Sequence, residues 1–64
     1  MKHFTAEKLF EIAAEEYKKA GMDFEGEGAG QWAALSAERD DFHSEDEVRE
    51  EIRSFIEEEK AMMD

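Results

Sequence analysis

The sequence predicts an all-α fold, a compact three-helix domain with two long helices, one short helix and a glycine-rich loop. Three observations lead to this prediction. Apolar residues recur every three or four positions near both ends of the chain, a serine-based capping box opens the last segment, and the chain holds one valine and no proline. Residues 1–64 are expected to form one domain, because 64 residues are enough for one core, and the stability margin should be thin because so short a domain buries only about 60% of its unfolded surface.

The first helix is expected over residues 5–20. Thr5 can cap its N-terminus, and Phe4 before it can pack on Leu9. Gly21 follows two lysines and is the residue type that most often ends a helix in the left-handed conformation. The apolar positions of this helix share one face, which we expect to be buried: Leu9, Ile12, Ala13, Tyr17 and Ala20.

All four glycines of the protein lie within residues 21–30, which are therefore expected to form a flexible loop. A short second helix is expected over residues 31–39, where Trp32 and Leu35 stand three apart. The loop also carries three acidic residues: Asp23, Glu25 and Glu27.

The third helix is expected to run from residue 45 to about residue 62. Ser44 is its N-cap, and Glu47, three residues later, completes the capping box. Arg53 is expected to pair with glutamates of its own helix, at positions 50 and 57. The apolar residues of the helix are expected to line one stripe: Val48, Ile52, Phe55, Ile56, Met62 and Met63.

Motifs for catalysis or metal binding are weak. Residues 23–28 match the first six positions of a calcium-binding EF-hand loop, but Ala34 stands where the bidentate glutamate is required. The chain has no cysteine and only His3 and His43 as imidazoles. Of its three serines, Ser44 is expected to cap a helix, and Ser36 and Ser54 lie within predicted helices without a histidine placed to activate them. We therefore expect a protein that is not an enzyme and that uses no metal and no cofactor.

Charge is the strongest feature of the composition. Nineteen acidic and eight basic residues give a formal net charge of −11. Residues 1–20 are balanced, whereas residues 38–64 hold twelve acids and four bases. Such a field repels nucleic acid and anionic lipid and attracts basic protein surfaces. The expected partner is therefore a basic, nucleic-acid-binding protein or complex. Neither a signal peptide nor an apolar run of about 20 residues is found, so we expect a cytoplasmic location.

The third helix carries charge at a density that approaches that of DNA. At a rise of about 1.5 Å per residue, residues 45–59 span about 21 Å. Eight carboxylates lie in that segment, and duplex DNA carries about one charge per 1.7 Å. The prediction is a nucleic-acid mimic that occupies a basic groove on its partner. The expected partner-binding residues are Asp40, Asp41, Glu45, Asp46, Glu50, Glu51, Glu57 and Glu58, with a second patch at Asp23, Glu25 and Glu27.

A cysteine-free, acid-rich, one-domain chain of this length resembles the small phage-encoded inhibitors of host defence, including anti-CRISPR proteins and other DNA mimics. The resemblance covers composition and charge layout over the whole chain, because those proteins share no sequence motif. It implies inhibition of a CRISPR effector or nuclease at its nucleic-acid-binding groove, in the host cytoplasm if the protein is phage-encoded.

Two other interpretations stay open. The first is a non-enzymatic protein–protein adaptor, or an antitoxin-like neutraliser of a basic partner. In this interpretation Met22, Phe24 and Trp32 form an exposed apolar anchor, and the acids mainly confer solubility. The second is a helical homodimer through the stripe on the third helix, which is compatible with either function.

Overall fold

The structure, a computed structural model, describes residues 3–62 in full and the backbone of Met63. It contains three helices: α1 (Ala6–Lys19), α2 (Glu27–Arg39) and α3 (Glu45–Met63). Within the described residues there is no β-strand. The all-α, three-helix prediction is therefore confirmed.

Helix α1 begins and ends as the sequence predicts. The Thr5 hydroxyl accepts a hydrogen bond from the Lys8 N–H at 3.1 Å, which satisfies one of the free amides of the first turn. At the other end, Gly21 has a φ of 77°, a conformation in which a side chain would be strained. The Met22 N–H then donates to the Tyr17 carbonyl at 2.8 Å and closes the helix.

Helix α2 begins four residues earlier than predicted. The expected loop over residues 21–30 is wrong for its second half, because Gly28 and Gly30 lie within the helix. At 13 residues α2 is nearly as long as the 14-residue α1, so the predicted contrast between long and short helices does not hold here. Burial of three alanines at four-residue intervals stabilises a segment that its glycines disfavour: Ala29, Ala33 and Ala37.

Helix α1 lies at the centre of the fold and packs against both other helices. No Cα atom of α2 lies within 8 Å of a Cα atom of α3 in the described part of the chain. Helix α2 instead meets α3 and the connection before it through aromatic side chains. The Trp32 ring lies 6.4 Å from the rings of both Phe42 and Phe55, measured between centroids. The buried core consists mainly of the residues Leu9, Ile12, Ala13, Tyr17, Ala33, Ala37, Phe42, Val48, Ile52 and Ile56.

Helix α3 continues beyond the core. Val48, Ile52 and Ile56 are buried as predicted, but every residue of 57–62 is exposed. Met62 is 81% exposed, so its predicted place in the buried stripe is wrong, because neither α1 nor α2 covers the last turns. The side chain of Met63 lies outside the described residues. Since three residues of the stripe are already buried within one chain, a homodimer through this stripe would require α3 to separate from α1.

Candidate acidic binding site

An ion-pair network centred on a buried carboxylate joins α1 to α3. Glu16 on α1 is only 5% exposed. Its carboxylate accepts hydrogen bonds from Arg49 Nη1 at 2.6 Å and from Arg53 Nε at 3.1 Å. Lys19 Nζ lies 3.5 Å from the same carboxylate. Both arginines of α3 are thus directed toward α1, so the prediction that Arg53 pairs within its own helix is wrong.

The network also shifts the pKa values of Glu16 and Arg49. Burial raises the pKa of Glu16, but the hydrogen bonds from Arg49 and Arg53 together outweigh burial and leave that pKa below its ordinary value. The hydrogen bond to Glu16 raises the pKa of Arg49 in turn. Glu16 is therefore ionised at neutral pH despite its burial.

The side of α3 that faces away from Glu16, together with the connection before α3, carries carboxylates without bases. Among the described residues, no lysine or arginine nitrogen lies within 4.0 Å of these carboxylate oxygens, the distance limit for an ion pair. Such unpaired carboxylates keep their full charge for an external cation, screened only by solvent and salt. They belong to the residues Asp41, Glu47, Glu50, Glu51 and Glu58.

These carboxylates surround a groove of about 540 Å³. Phe42, which is 8% exposed, and the part-buried Phe55 supply its apolar surface. The groove is open to solvent along its length and combines negative charge with aromatic area. We call it the acidic groove, and it is lined by Asp41, Phe42, Glu47, Glu50, Glu51, Ser54, Phe55 and Glu58.

The structure brings together only part of the predicted partner-binding set. Asp41, Glu50, Glu51 and Glu58 lie in the acidic groove. Of the remaining members on α3, two are exposed outside it: Asp46 and Glu57. The sequence analysis assigned Glu47 to the capping box and counted it among the eight carboxylates of the third helix, but did not include it among the partner-binding residues. Glu47 indeed accepts a hydrogen bond from the His43 N–H at 2.7 Å, but it also lines the groove.

Two predicted site residues are engaged within the chain. Asp40 ends α2 in the left-handed conformation with a φ of 51°. Its carboxylate accepts a hydrogen bond from the backbone N–H of His3 at 2.9 Å, and this bond and the His3 ring hold the pKa of Asp40 below its ordinary value. Glu45 lies 3.6 Å from Arg49 and 3.9 Å from Lys8. Both carboxylates are therefore less available to a partner than the predictions require.

The structure separates the three residues of the predicted second patch, Asp23, Glu25 and Glu27. Asp23 and Glu25 lie at a separate cavity of about 290 Å³, between the end of α1, the start of α2 and the second half of α3. Glu27 is exposed in the first turn of α2, outside this cavity. Glu59, which sequence reasoning did not single out, faces the same cavity from α3. We call this cavity the aromatic cleft, and it is lined by Tyr17, Asp23, Phe24, Glu25, Gly28, Ala29, Trp32, Phe55 and Glu59.

Other kinds of site find little support in the described residues. No group of three or more His, Asp or Glu side chains is arranged to hold a metal ion between residues 3 and 62. Ser44 accepts a hydrogen bond from the Glu47 N–H at 3.4 Å, so its hydroxyl serves as the helix cap. In the part of the chain that the structure describes, no helix combines the length and the apolar character needed to cross a membrane.

No protein-family model matches the chain, and neither the curated proteins nor the solved structures include a significant match to it.

Proposed function

We propose that this chain is a non-enzymatic binding protein that places its acidic groove against a Lys/Arg-lined surface of a nucleic-acid-binding protein and thereby excludes the nucleic acid. One observation carries the proposal. Arg49 and Arg53 pair with Glu16 on the α1 side of α3, and five carboxylates without a lysine or arginine partner among the described residues lie together around the acidic groove. A basic groove that binds phosphates would attract this surface electrostatically.

Helix stability alone does not account for the layout of these charges. Glu47 and Glu51 are four residues apart on α3, a spacing at which like charges cost a few tenths of a kcal/mol. Stability of a 64-residue domain is on the order of 3–10 kcal/mol, so several such pairs are a noticeable cost. A binding role for the carboxylates gives a reason for retaining them.

The aromatic surface in the groove supports binding to a protein. Phe55 is part-buried and lies among the carboxylates, so a partner surface can bury its exposed part as well as pair its charges. Burial of apolar area contributes affinity that exposed ion pairs alone do not supply. In this proposal the partner is a nuclease or a CRISPR effector, and inhibition requires no reaction and no cofactor.

The proposal is tested with purified nucleases and CRISPR effector complexes, in DNA-cleavage and direct-binding assays at 50 and 300 mM NaCl. We expect inhibition by the chain, competition with duplex DNA, and at least about tenfold weaker binding at the higher salt concentration. The double variant Glu50→Lys, Glu51→Lys should lose binding.

The matched control changes the net charge equally on another surface. Glu7 and Glu11 are exposed on α1, and Glu7→Lys with Glu11→Lys should leave most of the binding intact. Equal loss in both double variants would mean that only net charge matters. Binding that survives Glu50→Lys, Glu51→Lys with an unchanged salt dependence would refute the proposal.

An adaptor that binds its partner through apolar area is the second candidate, and one observation favours it. Met22, Phe24 and Trp32 are each part-buried, so some aromatic area stays open to a partner. A partner bound in this way would not be displaced by DNA, and its affinity would change little with salt. DNA competition therefore separates the two candidates.

A further inference from the structure

The aromatic cleft differs in chemistry from the acidic groove. Aromatic rings form most of its wall: the Phe24 ring lies 4.9 Å from the Tyr17 ring and 5.8 Å from the Trp32 ring, measured between centroids. Phe55 of α3 completes the wall from the opposite side. Three carboxylates stand around this aromatic surface: Asp23, Glu25 and Glu59.

The carboxylates come from two separate parts of the chain. Asp23 and Glu25 belong to the connection between α1 and α2, whereas Glu59 projects from α3. Tyr17, which is 5% exposed, lies at the inner wall, and its pKa is raised by burial and then by the neighbouring Glu59 carboxylate. Glu59 therefore faces the cleft side of Tyr17 and not only the solvent. Among the residues that the structure describes, no basic side chain lines the cleft.

This combination is complementary to an organic cation. Aromatic faces attract cations, and the attraction grows when water is partly excluded. A planar guanidinium stacks on aromatic rings and donates paired hydrogen bonds to carboxylates, whereas an ammonium group is more strongly hydrated. The cleft volume of about 290 Å³ lies at the lower limit of ligand pockets, which commonly measure about 300–1,000 Å³. It therefore suits one side chain better than a cofactor.

We infer that the aromatic cleft binds the guanidinium group of an arginine side chain presented by a protein partner. The guanidinium stacks on the face of Trp32, with the Phe24 ring almost perpendicular to it, and its N–H groups donate to the carboxylates of the cleft rim. The proposed function supplies the source of this arginine, a basic nucleic-acid-binding protein, and the inference rests on it in that respect alone. The cleft would give the complex a specific anchor that the field of the acidic groove does not provide.

The experiment uses N-acetyl-arginine amide as the probe and the full chain as the receptor. Trp32 is the single tryptophan of the protein and forms part of the cleft wall, so its fluorescence and its indole N–H resonance report occupancy directly. We expect a saturable change in both signals. N-acetyl-citrulline amide, a neutral analogue of similar shape, should bind at least about tenfold more weakly because it lacks the charge.

Three variants separate binding in the cleft from attraction to the whole protein. Asp23→Asn with Glu25→Gln should weaken arginine binding about tenfold. Glu50→Gln with Glu51→Gln removes the same charge from the acidic groove and should change it less than about twofold.

The third variant, Gly28→Leu, leaves the charge unchanged and fills the cleft. Gly28 is helical and a Cβ there meets nothing within 4 Å, so the variant should fold, which circular dichroism checks. Loss of arginine binding in this variant supports the inference. The inference is overturned if citrulline binds as well as arginine, if Gly28→Leu binds normally, or if both charge variants weaken binding equally.

These outcomes are independent of the DNA-competition test. Suppose that the cleft does not bind arginine but that the Glu50→Lys, Glu51→Lys variant no longer binds the partner. The inference about the cleft is then refuted, and the proposed function is still supported.

Discussion

The substitution Glu16→Gln tests whether the buried network stabilises the fold. Glutamine keeps the size of the side chain and one carbonyl acceptor but removes the charge. A hydrogen bond to a charged group contributes about 1.5–3 kcal/mol. The Arg53 side chain is 63% exposed, so solvent screens its share of the interaction. We therefore expect the variant to lose about 2 kcal/mol of unfolding free energy.

Thermal unfolding followed by circular dichroism measures this loss. For a domain of this size, 1 kcal/mol corresponds to about 4–8 °C in Tm, so the expected fall is about 10–15 °C at pH 7. The pH dependence follows from the lowered pKa of Glu16 in the folded protein. The stabilisation is complete above the carboxyl pKa of the unfolded chain, about 4.3, and is lost as the pH falls through the folded pKa.

The difference in Tm between the wild type and Glu16→Gln should therefore shrink below about pH 4. Glu15→Gln is the matched control, because Glu15 is the exposed neighbour and lies 3.5 Å from both Lys19 and Arg49. It should cost less than about 0.5 kcal/mol. A fall in Tm of only 1–2 °C for Glu16→Gln, on the order of 0.3 kcal/mol, or an equal fall for Glu15→Gln, would refute this reasoning.

Two further expectations concern α2 and the end of α1, and urea denaturation checks both. Gly30→Ala should raise the unfolding free energy by about 0.5–1 kcal/mol, because Gly30 is helical and a Cβ there meets open space. Gly21→Ala should lower the unfolding free energy, since φ is 77° at Gly21. A change of the same sign in both variants would contradict the placement of Gly30 in a helix and of Gly21 in the left-handed conformation. Ala33→Leu should lower the unfolding free energy by about 1–3 kcal/mol through overpacking, since Ala33 is 2% exposed. Ala34→Leu on the exposed side of α2 should be nearly neutral, and an Ala33→Leu variant as stable as the wild type would mean that α1 and α2 pack loosely.

Local signals allowed the ends of α1 and the start of α3 to be predicted from the sequence. Thr5, Gly21 and Ser44 act on backbone groups only a few residues away, so their effect is readable without knowledge of the fold. The start of α2 was not predictable in this way. Its first turns contain Gly28 and Gly30, and they are helical because Ala29 is buried in the tertiary structure.

The sequence contains an indication of the buried network that the prediction did not use. Glu16 falls four residues after Ile12 and seven after Leu9, so it occupies a position on the apolar face of α1. An acid in that position implies a basic partner from another element, because a buried charge without a partner is costly. Arg49 and Arg53 follow Val48 and Ile52 directly and were the available bases.

The exposure of the acidic residues was predictable, but their grouping was not. The charge surplus of α3 is evident from composition. Which carboxylates share a groove depends on how α3 is rotated about its own axis. The contacts with α1 fix this rotation, and the hydrogen bonds of Arg49 and Arg53 to Glu16 are among them. Likewise, Glu59 joins Asp23 and Glu25 only because α3 passes the connection between α1 and α2.

The central position of α1 has a consequence for biosynthesis. The hydrogen bonds from Arg49 and Arg53 to Glu16 join residues 33 and 37 positions apart. Synthesis at about 5–20 residues per second therefore leaves α1 without its second partner for roughly 2–7 s after Glu16 is added. During that interval the faces of Leu9 and Ile12 that α3 later covers stay open, and α2 alone can shield part of α1. The domain thus completes its fold only once α3 has left the ribosome, and a chain truncated before residue 48 lacks Val48, Ile52 and Ile56 and leaves part of the apolar face of α1 uncovered.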